Sequence, residues 1–125
     1  MSALTVDRES AVVGAVPKRL LIGGAWREAT GGGTLGVEDP ATGEVFAEVA
    51  DATPEDATAA LDAACAVQAE WAAQAPRERG EILRRAFERL TERADELALV
   101  MTLEMGKPVA ESKAENVYAA DYFRW

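Results

Sequence analysis

The stretch Val100–Trp125, VMTLEMGKPVAESKAENVYAADYFRW, decides how this chain is read. It predicts the end of one helix, a stop at Gly106, and a second helix that starts at Pro108. Gly106 stands where a left-handed residue closes a helix. Lys107 places a cation near the C-terminal dipole, and Pro108 supplies a first-turn residue that needs no N–H partner. Downstream, Val109, Ala110, Ala114, Val117, Tyr118, Ala120, Tyr122 and Trp125 recur with no cap residue other than Asn116. Tyr118, Tyr122 and Trp125 share one face, and the pattern runs unbroken to the last residue. A stripe that stops on Tyr, Phe and Trp is one without its covering surface, so the chain is expected to be the opening part of a larger protein.

Working back from this stretch, residues 1–18 combine small side chains, scattered charge and no usable period, and are expected to form a flexible N-terminal tail. Order is expected from Arg19. LLIGGAWREA reads as two short strands around Gly23-Gly24, a dipeptide that admits the positive φ angles of a tight hairpin. TGGGT is then a loop, and LGVED with GEVFAEVA is a second extended pair joined by Pro40-Ala41-Thr42-Gly43. At Thr53 the period lengthens. Thr53 can cap a helix, Pro54 suits its first position, and Glu55 and Asp56 complement the N-terminal dipole. The inward stripe of that helix is expected to be Ala57, Ala60, Leu61, Ala64, Val67 and Trp71. Pro76 opens another helix, with Ile82, Leu83, Ala86, Phe87 and Leu90 on one face and alternating arginines and glutamates outside. Leu97, Val100, Met101 and Glu104 continue the spacing after a bend near Arg93–Asp95. The predicted order is therefore β-hairpins over 19–50 and three to four α-helices over 54–125.

A hydrophobic content of 49% is that of a globular chain. Thirteen basic against 22 acidic residues give a net charge of −9, which argues against polyanionic partners, nucleic acid or an anionic membrane surface. One cysteine excludes an internal disulfide framework, and the absence of histidine excludes Cys/His zinc sites and histidine triads. A reducing cytoplasm is the default. The apolar run Ala11–Val16 is too short and wrongly flanked for a signal peptide, and no stretch approaches a membrane span.

Few residues suggest chemistry. Gly31, Gly33 and Gly36 satisfy a GxGxxG pattern, but Val37-Glu38-Asp39-Pro40 cannot open the helix on which a pyrophosphate would rest. Gly106-Lys107 lacks the rest of a phosphate loop and reads as a helix stop. Cys65, beside Leu61 and Ala64 without a basic neighbour, reads as a small core residue rather than a nucleophile. Glu104, Glu111 and Glu115 are interleaved with Lys107 and Lys113 as on an ordinary solvated face, and the arginines between Arg77 and Arg93 are threaded with acids. No catalytic, cofactor or metal residue is therefore assigned.

LLIGGAWREATGGGT, EDPATGEVFAEVA, RERGEILRRAFERL, TLEMGKPVAESKAE and YAADYFRW follow one another in an order and spacing that resemble the start of NAD(P)-dependent aldehyde dehydrogenases, most of all the succinate-semialdehyde dehydrogenase branch. The likeness covers Leu20–Trp125. Asp39 stands where that family usually has asparagine, which keeps a turn-forming side chain. The resemblance implies an α/β fold of which residues 19–125 are the incomplete N-terminal part of the coenzyme-binding domain. It also implies oxidation of an aldehyde through a cysteine thiolate, an oxyanion site, hydride transfer to NAD or NADP and a glutamate that activates water. Those groups are expected beyond Trp125, so the isolated chain should bind no cofactor and show no activity. Within it, the resemblance puts Ala114 and Tyr118 at the mouth of the substrate tunnel, against plain core packing of the aromatic stripe. The family is usually dimeric or tetrameric when full length. Two other readings are a dehydrogenase of another substrate branch, such as one acting on a betaine-type aldehyde, and a complete small α+β module whose closing aromatics bind a partner.

Overall fold

The computed structural model describes residues 3–125, with side chains from Asp7 onward. In order, the chain forms α1 (Ala3–Ala15), β1 (Leu20–Ile22), β2 (Ala25–Arg27), a 3-10 turn (Thr30–Gly32), β3 (Thr34–Asp39) and β4 (Glu44–Ala50). Four helices follow: α2 (Pro54–Ala73), α3 (Pro76–Glu92), α4 (Ala94–Met105) and α5 (Val109–Arg124). The hairpins-then-helices order holds, with four helices after residue 54.

The described residues up to Val16, with Glu38–Glu44 and Pro76–Trp125, form one compact unit, and Pro17–Val37 with Val45–Ala75 form another. In the second unit β1 and β2 pair antiparallel, Leu20 opposite Arg27 and Ile22 opposite Ala25, and Gly23 and Gly24 both take positive φ in the two-residue turn. β3 pairs with β4. The tetrad between them closes as its side chains predict: the Asp39 carboxylate accepts from the Ala41 N–H at 2.8 Å, and the Asp39 carbonyl accepts from the Gly43 N–H at 2.7 Å. Aspartate thus serves the turn as asparagine would.

The first unit is a helical packing in which α5 lies against α3 and α4, and α1 against α4. The expected bend falls at Arg93, whose φ of −100° and ψ of 16° separate α3 from α4. Pro108 takes the cap position, one residue before the helix that it was expected to begin.

Three expectations are corrected. The tail predicted over residues 1–18 is helix α1 from Ala3 to Ala15, its first two residues lying outside the described ones. Glu9, Val12 and Val13 are half-buried along one side of that helix, a polar and apolar mixture with little pattern to read, and the helix lies against α4. In α2 the stripe is rotated. Leu61 is 63% and Val67 57% exposed, while Asp56 is buried and Ala59 and Ala63 are half-buried. A helix of nearly uniform small side chains offers little contrast by which sequence could choose a face. Cys65 lies on the open side of the same helix and is exposed rather than a core residue.

Candidate functional site

The turn that launches α5 is held from several sides. Gly106 closes α4 at φ 71°, donating its N–H to the Thr102 carbonyl at 2.9 Å. A Cβ at Gly106 would come within 2.9 Å of Pro40 Cγ, so the residue needs both its left-handed backbone and its lack of a side chain. The Pro108 carbonyl then accepts from the Glu111 and Ser112 N–H groups at 3.0 and 3.2 Å, and Lys107 pairs with Glu115.

From this start α5 presents two unlike faces. Ser112, Asn116 and Ala120, four residues apart, are buried. The Ser112 and Thr102 hydroxyls share a hydrogen bond of 2.9 Å, and Asn116 Nδ2 donates to the Leu90 carbonyl at 3.3 Å. Arg124 sits 5.5 Å above the Phe87 ring. These contacts fix the rotation of α5 on α3 and α4, and hence what its outer face shows.

That outer face carries Ala114, Tyr118 and Tyr122 at successive four-residue steps, all exposed. Tyr118 and Tyr122 are each 66% exposed, so the aromatic stripe is not packed into a core among the described residues. Their rings meet edge to face with centroids 5.2 Å apart, and their hydroxyls lie 2.6 Å apart. The hydrogen bond to Tyr118, aided by desolvation, raises the Tyr122 pKa above the usual phenol value of 10.0. Ala114 and Tyr118, which the family resemblance singles out, are exposed on one face. Tyr122 was not assigned to the site, although its place one helical turn after Tyr118 was the available signal.

Two other clusters bear on chemistry. In the second unit Asp56, 1% exposed, accepts from the Thr30 N–H and hydroxyl at 2.9 and 2.8 Å, from the Thr53 N–H and hydroxyl at 3.0 and 3.1 Å, and from Arg27. Thr53 answers by accepting from the Asp56 N–H at 3.3 Å, completing a capping box. The backbone N–H groups of Thr30 and Thr53, ahead of the hydroxyls, hold the Asp56 carboxyl well below the usual carboxylate range. Every donor is internal, so the cluster ties a loop to a helix start. In the first unit a cavity of about 300 Å³ is lined by Arg8, Glu9, Asp95, Leu99, Thr102, Leu103, Val109 and Lys113. Lys113 pairs with Asp95 at 2.7 Å and, through that hydrogen bond and its charge, lowers the Asp95 pKa. Its charged lining is balanced in sign.

The one glycine pattern that could suggest a nicotinamide dinucleotide does not fit one. Gly31 lies within the 3-10 turn, Gly33 follows it and Gly36 lies within β3, so the glycine pattern runs into a strand and offers no helix N-terminus to a pyrophosphate. Among the described residues no group of three or more His, Cys, Asp or Glu side chains could hold a metal ion. Among the described residues no helix is long and apolar enough to cross a membrane.

The sequence pattern of the Aldehyde dehydrogenase family matches residues 26–125, and the chain belongs to that family, with its α/β fold. The chain is 58% identical over 81 residues to the succinate-semialdehyde dehydrogenase of Paenarthrobacter nicotinovorans, a match covering 65% of this chain and 18% of that protein. It is 40% identical over 108 residues to the succinate-semialdehyde dehydrogenase of Escherichia coli (strain K12) that is named for NADP(+), covering 86% of this chain and 22% of that one. Among solved structures, a betaine aldehyde dehydrogenase from Staphylococcus aureus in complex with NAD+ matches with a TM-score of 0.88 and 28% identity, over 94% of this chain and 24% of that chain. The chain spans about a fifth of the length of the curated relatives it matches.

Proposed function

We propose that this chain supplies the N-terminal portion of an NAD(P)-dependent dehydrogenase that oxidises succinate semialdehyde to the dicarboxylic acid. The observation that carries the substrate is the 58% identity to a protein named for that activity, against 28% to one named for betaine aldehyde. Residues 19–125 then belong to the coenzyme-binding domain, and the catalytic and nucleotide-binding groups belong to sequence outside this chain. The 125 residues alone bind no cofactor and turn over no aldehyde. The full-length enzyme works in the cytoplasm as a dimer or tetramer, with NAD or NADP as hydride acceptor.

Within this reading, the face of α5 that carries Ala114 and Tyr118 lines the path of the substrate. Its support is geometric: the two residues are exposed together, while the buried Ser112 and Asn116 hold the opposite face. An enclosed aldehyde would find an apolar wall and one phenol there. A second reading, a dehydrogenase for betaine-type aldehydes, is favoured by the TM-score of 0.88 to such an enzyme.

The test is a cofactor-reduction assay with NAD and NADP. Full-length enzyme containing this segment should give the highest kcat/KM with succinate semialdehyde, and the 125-residue chain should give none. A preference for betaine aldehyde would transfer the assignment to the second reading. Tyr118→Ala is expected to change kcat or KM. Unaltered kinetics with every aldehyde would remove Tyr118 from the substrate path.

A further inference from the structure

We infer that Tyr122 is a specificity-determining residue. Together with Tyr118 it forms a two-hydroxyl unit with one O–H left over, which recognises an acceptor oxygen at the far end of an aldehyde substrate. The inference rests on the proposed placement of Tyr118 along the substrate path.

Proton counting carries it. Two phenols hold two O–H donors, and the 2.6 Å contact between them uses one. Whichever hydroxyl donates within the pair, the other keeps its proton for an outside acceptor. That remaining donor is strengthened when its own oxygen already accepts a hydrogen bond. Both rings are on the exposed side of α5, and among the described residues each hydroxyl's contact is with the other. The edge-to-face contact of the rings, 5.2 Å between centroids, holds the two oxygens together.

The surroundings select the class of ligand. Ala114 and Val117, both exposed, flank the pair with apolar surface. A short aliphatic chain ending in a carboxylate meets both features, since its methylenes cover the apolar side chains and its terminal oxygen takes the free O–H. A charged acceptor makes this the stronger kind of hydrogen bond. An aldehyde of the same length with a methyl terminus would leave the donor unpaired, which is the arrangement by which a polar site discriminates.

The experiment uses full-length enzyme carrying this segment and compares succinate semialdehyde with butanal. Tyr118→Phe and Tyr122→Phe keep both rings and remove one hydroxyl each at exposed positions. Each single variant still holds one O–H but loses the strengthening that its partner gives, so each is expected to lower the ratio of kcat/KM for succinate semialdehyde over butanal by roughly threefold, and the double variant, which has no donor, by roughly tenfold, through KM. A wild-type ratio in Tyr122→Phe overturns the inference. Tyr118→Ala separates the two claims: altered kinetics in it beside a wild-type ratio in Tyr122→Phe leave the tunnel reading standing and sink only the hydroxyl pair. Unaltered kinetics in Tyr118→Ala with every aldehyde sink both.

Discussion

The Asp56 cluster and helix α5 both bury polar side chains, but they use them differently. Around Asp56 one ionised carboxylate gathers donors from Arg27, Thr30 and Thr53, all on one residue's two oxygens. Along α5 the buried polar groups are neutral and spread out, Ser112 toward Thr102 and Asn116 toward Leu90. A charge with every donor supplied makes a single point of failure. Distributed neutral hydrogen bonds set a helix's rotation, and each can be lost with modest effect. The first arrangement suits a fixed scaffold corner. The second suits a helix whose outer face has to be aimed.

The sharpest way to break this contrast is Asp56→Ala. It leaves Arg27, Thr30 and Thr53 without their shared acceptor, and is expected to abolish amide protection at Thr30 and in the first turn of α2, read by hydrogen exchange. Protection that survived would show that the corner does not hang on one residue. The same cluster predicts a pH response. Folding holds the Asp56 carboxyl below its ordinary value of 3.8, so its contribution is complete above that value and is lost as pH falls through the folded-state pKa. Asp56→Asn should flatten that acid limb in a pH series of unfolding curves.

Next in size is Gly106→Ala, which puts a side chain at φ 71° and a Cβ within 2.9 Å of Pro40 Cγ. The left-handed backbone alone costs about 1–2 kcal/mol, and relieving the contact adds to it, as chemical denaturation would measure. Ser112→Ala should cost about 1 kcal/mol by removing the Thr102 partner. A loss matching that of Asp56→Ala would erase the distinction between the two regions. Arg89→Ala, which breaks an exposed pair with Glu92 at 2.8 Å, should cost about 0.5 kcal/mol or less.

What could be read in the sequence is what local chemistry determines. Gly23-Gly24, Asp39 to Gly43, Thr53 to Asp56 and Gly106-Lys107-Pro108 are turns and caps whose partners lie within a few residues, and each occurs where its residue types place it. What escaped depends on distance or on contrast. The Arg27–Asp56 pair joins positions 29 apart, and nothing at either end announces the other. Helix α1 lies against α4 with little pattern to betray it. In α2 the packed face follows Asp56 and Ala63 rather than Leu61 and Val67, because alanines surround every candidate stripe. For the candidate site, Ala114 and Tyr118 came from the family resemblance and spacing put Tyr122 on the face of Tyr118, whereas the contact between the two hydroxyls is set by rotamers that spacing does not specify.

Tyr118 and Tyr122 are also the chain's entire complement of tyrosine. Ultraviolet difference absorbance during an alkaline titration of the polypeptide would therefore report on one helix, free of background from other phenols. The hydrogen bond to Tyr118 holds the Tyr122 phenol above its usual value, so part of the signal should come late in the titration. Loss of that delay would be an optical alarm that the last turns of α5 had frayed.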